Sequence, residues 1–256
     1  YSLRNLLKRI PLPGGMKVWV TATSLGFVLF AFITNIAQLS QLSIGLRTIS
    51  WLGIGVFVSW LSLLVNAIAW KSLVNWQGYM PINISLVSLF LRSNLLKYLP
   101  GGIWHFIARL RALKSNIGVT PSLFAVFFEP LLMVVAAALW IPFGGWQSGL
   151  GLIAIFPAAL LSPRFRKPLF IKLKGLKLDQ IKVIDSTLIE SIDNQALVKG
   201  IAKYPLLPLL WEMGFVFCRF GGFCCCLFAF SSFQSLPFGE WLAAFSIAWI
   251  VGLVVP

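Results

Sequence analysis

Charge is what this chain has least of. Only 11% of its 256 residues are charged, and acids are the rarer sign, seven Asp and Glu against 21 Lys and Arg. A soluble domain carries roughly twice that density of charge and about 45–50% apolar residues. Here apolar residues reach 59% and the mean hydropathy is +0.89. One core of this size cannot hide that surplus, so part of it faces lipid, and a water-soluble domain is excluded. Histidine is nearly absent too. His105 stands far from the four cysteines, Cys218, Cys224, Cys225 and Cys226, which crowd into one apolar stretch. A metal site needs spaced ligands and usually a histidine among them. No metal and no cofactor is therefore expected, and the cysteines read as small apolar residues of a helix. No phosphate-binding Walker sequence occurs. The first apolar run is too long for a cleavable signal and lacks a cleavage site.

What is present is a series of apolar runs. Val18–Ala37 is twenty residues without a charge, about 30 Å as a helix, which matches one bilayer core. Ile49–Trp70 is a second such run, joined to the first by the short polar connection Gln38–Thr48. Val119–Phe143 is a third, interrupted by Glu129 alone, and a Gly144–Gly145 turn leads into a fourth, Trp146–Ser162. Tyr204–Phe230 is the fifth, and a sixth begins near Trp241 and reaches Pro256. The expected fold is all-α: a single membrane domain over residues 1–256, a polytopic transmembrane helical bundle. The chain begins at Tyr1 and stops inside an apolar run, so a fragment lacking part of its C-terminal side is expected.

The net charge of +14 would suggest nucleic acid in a soluble protein. In a membrane protein Lys and Arg collect in cytoplasmic loops and meet anionic headgroups, so nucleic acid is not an expected partner. Placing the N-terminus in the cytoplasm puts Lys71, the block Arg92–Lys114 and the basic loop Pro163–Lys203 on the same side. Of the 21 basic residues only Arg47 and Arg219 are then left out. The layout requires Ile84–Gly118 to enter and leave on one side. In the basic loop, Leu and Ile alternate with Lys, which suggests a short strand pair or an amphipathic surface piece.

The segment ISLVSLFLRSNLLKYLPGGIWHFIARLRALKSNIG has the form to do so. Ile84–Leu99 and Ile103–Lys114 are each about 24 Å or less as helices, too short to cross. Pro100-Gly101-Gly102 between them removes a donor and permits reversal. Two such arms make a re-entrant hairpin, which needs surrounding protein or a water-filled cavity at membrane depth. The second arm would aim its free N–H groups and positive dipole end, at Gly101 and Gly102, into that cavity. Lys97 flanks the turn, and His105 and Arg109 share a face at i, i+4. Together they suit a phosphate or other anionic headgroup. Glu129 is placed to pair with Arg92, Lys97 or Arg109. The same arms also fit two amphipathic helices lying flat on the membrane. Glu212 and Arg219, ionisable groups within a span, should face the bundle interior and find partners on other helices.

KYLPGGIWHFIARLRALK, then the acid Glu129 in FFEPLLM and later AWIVGLVVP, resemble the membrane region of lysylphosphatidylglycerol synthases and their stand-alone relatives. The likeness runs from about Lys17 to Pro256 and is weak outside these pieces. It implies a domain that moves an amino-acylated or glycosylated lipid between leaflets of the cell membrane. It also implies a glycine-rich stretch with an acid beyond VVP, and none of the aminoacyl-transferase half lies in these residues, so no enzyme activity is expected. Membrane lipids are the expected partners, with a homo-oligomer or a lipid-modifying enzyme as the candidate protein partner. One alternative is a membrane glycosyltransferase using a polyprenyl-phosphate donor, which needs an acid in an early external loop; Gln38–Thr48 has none. Another is a non-catalytic partner in envelope lipid assembly, which needs no polar cavity.

Overall fold

A computed structural model describes residues 26–27, 29–30, 32–34, 44–98, 104–144, 156–159, 161–162, 164, 203–230 and 236–254. The described residues are mainly helical, with no strands among them. The chain divides into two units, Tyr1–Leu46 and Arg47–Pro256. In the first, the described residues between 26 and 34 are helical and fall within the expected span Val18–Ala37. The second unit builds the site. Its helices are α1 (Leu46–Trp76), α2 (Leu86–Asn94), α3 (Trp104–Ile117), α4 (Val119–Ala138), α5 (Leu206–Ala229) and α6 (Phe238–Val254). Two 3₁₀ turns, Leu95–Tyr98 and Ile141–Gly144, extend α2 and follow α4. Three helices are long and apolar enough to cross a membrane: α1, α4 with its 3₁₀ extension, and α5.

Helix α1 shows why lipid is its solvent. Ile54, Val56, Phe57, Trp60 and Leu61 are exposed, while Gly55, Ser62, Asn66 and Ala69 are buried. Over this stretch large apolar groups point out and small or polar ones point in, the arrangement that lets membrane helices approach closely. The inward face meets α5 antiparallel: Thr48 Oγ1 donates to the Ala229 carbonyl at 3.4 Å, and the Trp51 and Phe228 rings lie 5.1 Å apart. At the crossing a methyl group on Gly55 would sit 3.1 Å from Cys225 Cβ, and one on Gly222 would collide with Ser59. At the other end of α1, Trp76 stacks on Phe128 of α4 at 5.9 Å. Trp140, just past α4, donates to the Met213 carbonyl of α5 at 3.2 Å. Helices α4 and α5 are thus parallel to each other and antiparallel to α1. Helix α6 returns against α5 through Phe215–Trp249, Phe220–Phe245 and Phe223–Trp241.

Helix α4 is the centre. It packs against α3, α5 and α6, and most of its length from Leu123 to Ala138 is buried. Gly118 joins it to α3 with a φ of 85°, a backbone region open mainly to glycine. The Gly118 N–H still bonds to the Lys114 carbonyl, and the Ser122 hydroxyl donates to the Gly118 carbonyl at 2.6 Å. The turn is therefore sharp, and α3 lies along α4.

Helix α1 starts earlier than the expected Ile49 and ends six residues later than Trp70. At 31 residues it is about 46 Å long, well over one bilayer core. The charged Arg47 and Lys71 are thus carried on its ends and not on loops. Helix α4 stops at Ala138, before the expected Phe143, and the chain finishes in a turn and a 3₁₀ segment. Helix α6 begins at Phe238, slightly before the expected Trp241. Of the expected span Trp146–Ser162 only short pieces are described, residues 156–159 being helical. Nearly all of the basic loop Pro163–Lys203 lies outside the described residues, as do Pro100, Gly101 and Gly102.

Candidate functional site

The hairpin expected between Ile84 and Gly118 has its two arms. The first is α2 running into the 3₁₀ turn and the second is α3, and the two pack together. Ser85 caps α2 by accepting from the Ser88 N–H at 3.4 Å. Ser93 and Arg109 lie equally far on either side of Gly101 in sequence. They meet in space: Arg109 Nε donates to Ser93 Oγ at 2.8 Å. The two arms therefore lie side by side.

Arg109 is the centre of this region. Its side chain is fully buried, and Nη1 donates to Glu129 Oε2 of α4, itself 2% exposed. The guanidinium carbon lies 3.9 Å from the centre of the Phe90 ring on α2 and 5.4 Å from that of Trp70 on α1. Cation–π contacts of this kind strengthen once water is removed. One side chain on α3 thereby holds α1, α2 and α4. An arginine bonded this way is the form a buried positive charge has to take, because an unpaired ion in an apolar interior costs several kcal/mol.

The guanidinium is not used up. Nη2 is buried and has no hydrogen-bond partner among the described residues, and the same holds for Nε1 of the adjacent Trp70. Two buried donor nitrogens thus have no acceptor among the described residues, and each bond left unmade costs about 1–3 kcal/mol. Glu212 of α5 has 1% exposure, and its Oε2 also lacks a partner among the described residues. Electrostatic interaction links Glu212 to Glu129, Lys97 and Arg109, and links Lys97 to Glu129, Arg109, Glu212 and Arg219. Pro130, next to Glu129, lacks an N–H, so the Val126 carbonyl is without its helical donor and the local backbone is more polar still.

Of the expected site residues, the structure brings together Arg109 and Glu129, with Lys97 within their electrostatic reach. Lys97 is exposed on the 3₁₀ turn. His105 is buried one turn before Arg109, its ring 3.8 Å from that of Phe106. Arg92 is exposed on α2, so Arg109 takes Glu129 in its place. Sequence reasoning did not place Ser93, Phe90 and Trp70 around the arginine. The equal spacing of Ser93 and Arg109 about Gly101 was the available signal for the first; nothing local marks the other two. Among the described residues no group of His, Cys, Asp and Glu could hold a metal ion. The four cysteines are free, and Cys224 and Cys225 are buried in α5. Comparison with protein-family models, curated proteins and solved structures gives no match.

Proposed function

We propose that this chain is a lipid transporter of the cell membrane, one that moves a lipid with an anionic, amino-acylated or glycosylated headgroup between leaflets. The observation that carries the reading is the unspent edge of Arg109. Beyond the ion pair, Nη2 and Trp70 Nε1 have no acceptor among the described residues and stand beside a carboxylate. Such donors in a dry interior recognise phosphate or another oxyanion, and arginine suits it geometrically. Lys97, exposed and coupled to the same cluster, would draw the headgroup in. Glu129 keeps Arg109 neutralised while the site is empty.

In this reading the α2–α3 hairpin is re-entrant, with Pro100–Gly102 at membrane depth and the N–H groups near Gly101 and Gly102 adding to the anion site. The N-terminus is cytoplasmic. The resemblance of KYLPGGIWHFIARLRALK and FFEPLLM to lysylphosphatidylglycerol synthase membrane regions supports the same reading. The cluster moves a molecule and does not transform it; a homo-oligomer or a lipid-modifying enzyme would be its protein partner.

Native mass spectrometry of the detergent-purified protein tests this. The wild type should retain anionic phospholipid through delipidation, and an Arg109→Met/Glu129→Leu variant should lose it. Equal retention by both would contradict the site.

A further inference from the structure

Glu212 has no part in the anion site as described, yet it is a carboxylate at 1% exposure about two turns into a helix long and apolar enough to cross a membrane. Its Oε2 has no hydrogen-bond donor among the described residues. The charges that act on it come from three other elements: Glu129 on α4, Lys97 on the 3₁₀ turn and Arg109 on α3. His105 stands one turn from Arg109 on α3. Helix α6 offers only Glu240, exposed in its first turn. Helix α1 has Arg47 and Lys71 near its ends and, between them, no charged side chain. Arg219, two turns further along α5, lies over the Phe215 ring at 5.8 Å and acts on Lys97.

The charges around Glu212 therefore form a set of two cations, Arg109 and Lys97, and two carboxylates, Glu129 and Glu212. With both acids ionised the set is neutral. A singly charged headgroup phosphate entering at Arg109 makes it net negative, in a medium where an unbalanced charge is costly. Arg109 cannot offset the excess, being already committed to Glu129. Glu212, the acid with no donor among the described residues, is a place where a proton restores neutrality.

We infer that Glu212 is a proton-binding site linked to the anion site, so that headgroup binding takes up a proton from water onto the Glu212 carboxylate and headgroup release returns it. The inference rests on the transporter reading above and adds a coupled ion to it. Moving the anionic headgroup would then be electrically neutral in the protein, and a pH difference across the membrane would bias its direction.

Isothermal titration calorimetry of the purified protein with dihexanoylphosphatidylglycerol tests it. Runs at one pH in two buffers of different ionisation enthalpy count the protons exchanged. The wild type should take up protons on binding, and its affinity should weaken by as much as about tenfold per pH unit where a whole proton is exchanged. Glu212→Gln should bind the same probe with neither proton uptake nor that pH dependence. Probe binding by the wild type without proton exchange overturns the inference and leaves the anion site standing, whatever the variant does. Uptake that persists in Glu212→Gln also overturns it. Failure of the probe to bind the wild type overturns the anion site, and the inference with it.

Discussion

Arg109 and Glu129 are each almost without exposure, so removing one strands the other. Arg109→Leu leaves a buried carboxylate and should cost about 3–5 kcal/mol, read as a lower melting temperature in detergent. Removing both is a different experiment. Arg109→Met/Glu129→Leu replaces a buried pair with apolar groups of similar size, which is often neutral or stabilising. The double variant should melt near the wild type; melting as low as Arg109→Leu would show that the pair is needed for folding itself. Part of this site was legible from residue chemistry. An acid inside a span needs a cation, and the hairpin holds the nearest ones, so the Glu129 pairing could be read down to three candidates. Choosing among them requires knowing which face of each arm points inward. Arg92 and Arg109 both sit on basic, amphipathic arms, and only the folded arrangement buries the second. Glu212 was recognised as buried, but its link to Glu129 and Lys97 joins residues more than eighty positions apart, and no local pattern carries that.

The elements follow from hydropathy and breakers, and these are local, which is why α1, α4, α5 and α6 were all recognisable. Their ends were less so. Arg47 and Lys71 looked like loop residues because they are charged, yet a helix longer than the bilayer core carries charge at its ends without burying it. A boundary between the arm ending at Lys114 and the span starting at Val119 was expected, and the sharp turn at Gly118 was not. The sharp turn there sets Arg109, nine residues before it, beside Glu129, eleven residues after it. With φ at 85°, Gly118→Ala should strain the backbone by about 1–3 kcal/mol. Relief of that strain would shift α3 along α4, so the variant should lose lipid retention as well as stability. As a control, Gly53→Ala, on the exposed side of α1 with open space around it, should leave both unchanged. A Gly118→Ala protein that melts and binds like the wild type would show that the corner does not set the site.

Across the whole molecule, the packing gathers one end of α1 with the starts of α4 and α5. Lys71 lies near that end, Lys114 near the start of α4 and Lys203 just before α5, whereas Arg47 lies at the opposite end. We propose, from the positive-inside rule, that this positive end is the cytoplasmic one. With the native cysteines replaced, cysteines at positions 71 and 203 should escape an impermeant thiol reagent added to intact cells, and one at 47 should react. The reverse pattern would invert the topology and put the mouth of the hairpin on the other side.

Whether the interior Arg109–Glu129 pair, and not the bundle as such, carries a headgroup across is tested most directly by vesicle reconstitution. Sealed liposomes containing the protein and a tail-labelled fluorescent phosphatidylglycerol are treated with an impermeant quencher. With wild-type protein the signal should fall beyond the outer-leaflet share, because inner-leaflet lipid is carried outward. With Arg109→Met/Glu129→Leu, folded and incorporated to the same level, quenching should stop at the outer-leaflet share. Quenching as complete with the double variant as with the wild type would contradict the claim.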